Sequence, residues 1–172
     1  MEIHILRLSH RLPRDERIST HVALVARAFG AQKIIYSGQH DSGLEDSVSR
    51  ICERWGGNFE IEYSSSYKKI ISKYKKQAYS IVHLTMYGIP VQDAISKIQS
   101  EKKILLIIGS EAVPGDVYRL SDYNISVTNQ PHSEVAALAI TLDRIFEGKE
   151  LEDTDFGGKI RIKPSAKGKE FV

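Results

Sequence analysis

Two textures alternate along this chain. Six short stretches are dense in Ile, Val and Leu: roughly 2–8 (EIHILRL), 33–37 (KIIYS), 59–63 (FEIEY), 79–86 (YSIVHLTM), 103–108 (KILLII) and 123–128 (YNISVT). Near-continuous apolar runs of this length are what strands of a parallel sheet show when helices cover both faces. Between them the spacing turns helical. Ile18, Val22, Val25 and Phe29 recur at i, i+4, i+7 and i+11, with Asp15 or Ser19 as the capping residue. Further helices are expected near 43–56, 67–76, 90–100 and 133–147, and Pro90 suits a helix opening because its missing N–H is not needed there. In the last of these, Ser133 is the expected N-cap, Val135, Leu138, Leu142 and Ile145 the apolar stripe, and Gly148 the terminating residue. Strand and helix thus alternate from end to end, which predicts an α/β domain.

From about residue 149 the pattern fades into DFGGKIRIKPSAKGKEFV, polar and basic, with KIRIK as a possible short strand. The expected organisation is one domain over 1–150 and a basic extension over 151–172, packed on that domain or on a partner subunit. A length of 172 residues suits a single domain, and 41% hydrophobic with 27% charged residues is the balance of a folded chain rather than a disordered one. No apolar run has the length of a membrane span and Met1 leads into no signal-peptide pattern, so a cytoplasmic protein is expected. Cys52 is the only cysteine, which excludes an intrachain disulfide and a multi-cysteine zinc site; its helical surroundings predict an inert thiol.

Net charge is only +2, but its distribution is uneven. Arg7, Arg11, Arg14 and Arg17 crowd the first strand and the loop after it. Lys68, Lys69, Lys73, Lys75 and Lys76 form a second basic stretch, and Lys159, Arg161, Lys163, Lys167 and Lys169 a third. Clusters of this kind can neutralise phosphates, and they can equally be solvated faces. The chain has no GxGxxG after its first strand, no GxxxxGK[ST], no HExxH, no paired His/Cys spacing and no GxSxG. Dinucleotide, P-loop, zinc and serine-hydrolase chemistries therefore lose ground.

Four segments carry more. They are RLSHRLPRDERISTHVALVARAFGA (7–31), HLTMYG (83–88), IIGSEAVPGDVYRLSDYNISV (107–127) and TNQPHSEVAALAITLDRIF (128–146). In this order and spacing they resemble the archaeal tRNA (cytidine-56) 2′-O-methyltransferases, over nearly the whole chain. GSEAVPG and YNISV are similar to motifs shared more widely among SPOUT methyltransferases. The resemblance implies an α/β fold with a mostly parallel six-stranded sheet, helices on both faces and a C-terminal trefoil knot. It further implies a homodimer, S-adenosylmethionine as cofactor, tRNA as substrate, and no required metal.

Carried onto this sequence, the resemblance marks Leu84 as a cofactor contact at the end of a strand, where packing alone would make it a core leucine. It marks the loop Gly109, Ser110, Glu111, Ala112 and Val113, whose glycine lets a ligand approach the main chain. It marks Val127, Thr128, Asn129, Gln130, Pro131, His132, Ser133 and Glu134, where the Asn129 and Gln130 amides can read an adenine edge and Ser133 has an equal claim as helix cap. Related enzymes place a catalytic arginine where Leu24 stands here, so that role is open. The nearest replacements are Arg17, as a phosphate grip that orients the ribose, and His21, whose imidazole can accept a proton. Arg11 and Arg14 are expected to contact RNA phosphates. The competing readings are a related methyltransferase acting on another tRNA or rRNA nucleotide, and a non-catalytic RNA-binding protein.

Overall fold

A computed structural model describes residues 1–109, 113–152 and 155–172. The chain opens with strand β1 (Glu2–His10), helix α1 (Glu16–Ala28), β2 (Lys33–Gly38), α2 (Ser42–Trp55) and β3 (Glu60–Tyr63). It continues through α3 (Tyr67–Lys76), β4 (Ser80–Pro90), α4 (Val91–Gln99) and β5 (Lys103–Ile108). Then follow α5 (Gly115–Leu120), β6 (Tyr123–Ser126) and α6 (Glu134–Phe146), before a terminal hairpin of β7 (Ile162–Lys163) and β8 (Glu170–Phe171). The first six strands form one sheet in the order β3-β2-β1-β5-β4-β6, every pairing parallel.

Successive side chains of a strand point to opposite faces, so a strand covered on both sides must be apolar throughout. In β5, Leu106 faces α1, α2, α4 and α6 while Leu105 and Ile107 face α3 and α5. That two-sided burial is why KILLII reads as one unbroken run. Replacing Leu106 by Ala would cost about 2–5 kcal/mol, because both the transfer energy and a cavity are involved.

Differences from the expected elements have local causes. Asp15, not Ser19, sits at the start of α1, and its carboxylate accepts from the Arg11 backbone N–H and Nε (3.1 and 3.3 Å) instead of capping the helix. β4 outlasts its expected end: after Leu84 the chain makes an excursion and rejoins β6, so that Leu84 and Ile89 both stand opposite Ile125. Gly88 permits this approach, since a Cβ there would lie 2.5 Å from the Ile125 carbonyl carbon. α5 was not expected at all; six residues are too few to show a helical period.

β1 ends in an irregularity between Arg7 and His10, with Ser9 in the left-handed region at φ 59°. The bulge turns His10 inward. Gly38 on β2 makes room: its φ is +115°, and a Cβ would stand 2.3 Å from the His10 carbonyl oxygen. After α6, the segment around Phe156 folds back onto α1 and α2. Gly57 N–H donates to the Phe156 carbonyl (2.8 Å), Ile160 N–H to the Arg54 carbonyl (3.0 Å), and the Arg27 guanidinium lies 4.7 Å from the Phe156 ring centre.

Candidate functional site

In an open parallel sheet, ligands bind beyond the carboxyl ends of the strands, where the strand order reverses. Here that point lies between β1 and β5, since β2 and β3 are laid to one side of β1 and β5, β4 and β6 to the other. A cleft of about 500 Å³ opens at this edge, within the usual size range of small-molecule sites. Its floor and walls come from four strand ends. The β1 loop gives Arg11, Arg14 and Asp15; β4 and its excursion give Leu84, Thr85, Met86 and Tyr87; β5 gives Ile108, Gly109 and Val113. The segment after β6 gives Val127, Pro131, His132 and Glu134, and α1, α5 and α6 add Ile18, Tyr118 and Ala137.

Of the residues singled out by sequence, the cleft gathers Leu84, Gly109, Val113, Val127, Pro131, His132, Glu134, Arg11 and Arg14. Ser110, Glu111 and Ala112 lie outside the described residues. Thr128, Asn129, Gln130 and Ser133 belong to the same loop without lining the cleft, and each has a local role. Asn129 Nδ2 donates to the Met86 carbonyl (2.6 Å) and to Ser126 Oγ (3.3 Å), which fastens the β6 loop to the β4 excursion. Thr128 Oγ1 accepts from Gln130 N–H, and the Gln130 carbonyl accepts from His132 Nδ1 at 2.6 Å. Ser133 caps α6 by accepting from Val135 N–H (3.2 Å). Arg17 and His21 are not brought to the cleft. Both lie on the exposed face of α1, one turn apart, while Ile18 of the same helix faces the cleft.

Sequence reasoning missed Asp15, Ile18, Thr85, Met86, Tyr87, Ile108, Tyr118 and Ala137 as lining residues. It missed above all the partner of Glu134. Arg7, fully buried on β1, reaches Glu134 Oε1 at 3.0 Å, while its Nε and Nη1 and the other Glu134 oxygen have no hydrogen-bond partner among the described residues. Burial raises the Glu134 pKa and Arg7 opposes that rise. A few residues along β1, His10 joins Ser19 Oγ (2.7 Å) and Asp41 Oδ2 (3.1 Å). Burial, followed by the charge of Arg7, lowers the His10 pKa, with Asp41 opposing. Neutral His10 donating from Nε2 to Asp41 and accepting the Ser19 hydroxyl at Nδ1 satisfies every group.

Among the described residues, no cluster of three or more His, Cys, Asp or Glu side chains is arranged to hold a metal ion. No helix of the described residues is long and apolar enough to cross a membrane.

Residues 55–172 match the family model described as tRNA ribose 2′-O-methyltransferase, aTrm56. The chain belongs to that family. Full-length relatives agree: the tRNA (cytidine(56)-2′-O)-methyltransferase of Methanocaldococcus jannaschii is 53% identical over 100% of this chain and 97% of its own length. The enzyme of the same name from Thermococcus kodakarensis is 51% identical over 99% of this chain and 96% of its own. The family model spans Leu84, Gly109 and the 127–134 loop, whereas the arginine-rich β1 loop is covered by the full-length relatives. Solved structures share the fold at low identity. A TrmH/SpoU tRNA modifying enzyme of A. aeolicus superposes with a TM-score of 0.63 at 12% identity, covering 89% of this chain and 78% of that one. The SpoU methyltransferase AviRb of Streptomyces viridochromogenes, solved in complex with AdoMet, gives 0.62 at 16% identity, over 87% of this chain and 60% of that one.

Proposed function

We propose that this member of the family transfers a methyl group from S-adenosylmethionine to the ribose 2′-hydroxyl of cytidine-56 in the T-loop of tRNA. The observation that carries the reading is the cleft at the β1/β5 reversal, built from the segments that resemble the family's motifs. Its composition fits the cofactor. Leu84, Ile108, Val127 and Ala137 offer apolar walls to an adenine, and Glu134, with one oxygen unpartnered among the described residues, offers negative charge to a cationic ligand. When bound, S-adenosylmethionine supplies an electrophilic sulfonium methyl, which needs no metal to activate it.

The chain's own contribution is to place the acceptor. Holding two reactants in line can supply about 7–11 kcal/mol of the barrier. Arg11 and Arg14 at the cleft mouth are suited to grip phosphates on either side of the target ribose. Asp15 holds Arg11 in place through two hydrogen bonds. Arg17 and His21 face outward from α1, so they serve this chemistry at the cleft of a second copy, in a homodimer. Exposed Tyr87, Ile89 and Ile140 support such an assembly. There Arg17 orients a phosphate, a guanidinium being a donor rather than a base, and His21 accepts the hydroxyl proton.

The same reading includes a trefoil knot, supported by the β4 excursion passing against β6 at Gly88 and Ile125. It divides the chain into a catalytic domain over 1–150 and an extension over 151–172, supported by the Phe156 contacts, and it places the enzyme in the cytoplasm with its substrate. The test is methyl transfer from labelled S-adenosylmethionine to an unmodified tRNA transcript and to one carrying 2′-deoxycytidine at position 56. Label on the first alone supports the reaction, the nucleotide and the acceptor atom together. Equal label on both refutes the assignment to cytidine-56, and none on either refutes the tRNA reading.

A further inference from the structure

Outside the cleft, α3 carries charge that the fold does not explain. Ile70, Ile71 and Tyr74 form its buried face, while Lys68, Lys69, Lys73, Lys75 and Lys76 are all exposed. Two of the five are neutralised locally: Lys68 Nζ lies 2.6 Å from Asp116 and Lys75 Nζ lies 3.8 Å from Asp122. Lys69, Lys73 and Lys76 have no ion pair among the described residues, and at i, i+4 and i+7 they form one stripe about 10 Å long. Like charges at that spacing repel and weaken a helix, and the first turn holds no acid to offset them. Exposed Arg119 of α5 stands one turn after Asp116, the partner of Lys68, and so adds a further positive charge beside α3.

The stripe is tied to the candidate site. Tyr67 at the start of α3 donates to Asp116 of α5 (2.9 Å), and α5 follows directly on the loop that borders the cleft at Gly109 and Val113. A shallow groove runs along the lysines, and among the described residues its uncharged lining is Ser72 and Gln77. It has no apolar anchor of the kind that holds a protein partner. Polyanion backbones, by contrast, are gripped by spaced cations that need no pocket.

We propose that Lys69, Lys73, Lys76 and Arg119 form a docking surface for tRNA phosphates remote from the nucleotide that enters the cleft. The inference rests on tRNA being the substrate. Direct binding tests it independently of turnover: tRNA affinity of K69E/K73E/K76E is measured by fluorescence anisotropy across a salt series, beside steady-state methyl transfer. The expected result is an affinity loss of about ten-fold or more at low salt, with the slope of log affinity against log salt smaller by about 2–3. The turnover rate at saturating tRNA and the affinity for S-adenosylmethionine stay at wild-type values. K69R/K73R/K76R keeps wild-type affinity, and K97E/K102E, changed elsewhere on the surface, behaves as wild type. Thermal unfolding confirms that each variant is folded.

Unchanged affinity and slope in the glutamate triple overturn the proposal, as does an equal loss in K97E/K102E. If the wild-type protein binds tRNA without methylating it, the assigned reaction fails while the change in slope still decides the docking surface. If it does not bind tRNA at low salt, both fail.

Discussion

Arg7 and His10 lie three residues apart on β1 and both are fully buried, yet their surroundings differ in kind. Around His10 the polar groups are paired: Ser19 on one ring nitrogen, Asp41 on the other, and Asp41 also capping α2 through Leu44 N–H (3.0 Å). Around Arg7 the pairing is unfinished among the described residues, with two guanidinium nitrogens and one Glu134 oxygen unpartnered. A completed buried network fixes shape, whereas an incomplete one carries an unmet desolvation cost that a ligand can relieve. The incomplete pair is the one that touches the cleft, through Glu134. The completed one secures the base of the arginine loop from behind. Position in the sheet alone would not have separated these roles; the hydrogen bonding does.

The sharpest way to break this contrast is at Arg7. R7M strands Glu134 and should lower stability by about 3 kcal/mol in urea denaturation, while R7M/E134M should recover most of that loss, because two apolar groups leave no buried charge. A recovery that fails would mean Arg7 is held by something other than Glu134. H10A should cost about 2 kcal/mol, by removing two buried hydrogen bonds and leaving Asp41 Oδ2 and the Ser19 hydroxyl without their His10 partner. Unlike R7M, it should leave S-adenosylmethionine affinity unchanged by calorimetry, since His10 does not line the cleft.

The fold was largely legible because burial on both faces of a parallel sheet writes itself as unbroken apolar runs, as in KILLII. α5 was hidden by its shortness, and the end of β4 by an excursion that no periodicity announces. In the site, the segments after β4, β5 and β6 were legible from resemblance, and the structure brings their ends together. Arg7 was read only as one member of a basic cluster, because nothing local tells a buried arginine from an exposed one; its partner lies 127 residues away. Arg17 and His21 show the opposite limit. They immediately precede Ile18 and Val22 on the helix, so a rotation of about 100° per residue already turns them away from the apolar stripe.

A smaller effect sharpens the same comparison through pH. The folded-state pKa of His10 is lowered, so its contribution to stability is complete above its unfolded value near 6.5 and is lost as pH falls toward the folded value. His4 and His83, also lowered mainly by burial, act in the same direction. Glu134 runs the other way: its pKa is raised, so its contribution is present below about 4.5 and lost as pH rises through the folded value. Unfolding free energy should therefore fall as pH drops below about 6.5, by at most about 1.4 kcal/mol per pH unit for each histidine, which a lower melting temperature reads out, and H10A should flatten that fall.

The most direct test is a titration of isotopically labelled protein with S-adenosylmethionine, followed through backbone amide shifts. Saturable shifts at Leu84, Thr85, Gly109, Val127 and Ala137, with Leu44 and Val48 unmoved, are the predicted result. Saturable shifts that bypass the cleft, or none at all, would contradict the assignment of the β1/β5 reversal as the cofactor site.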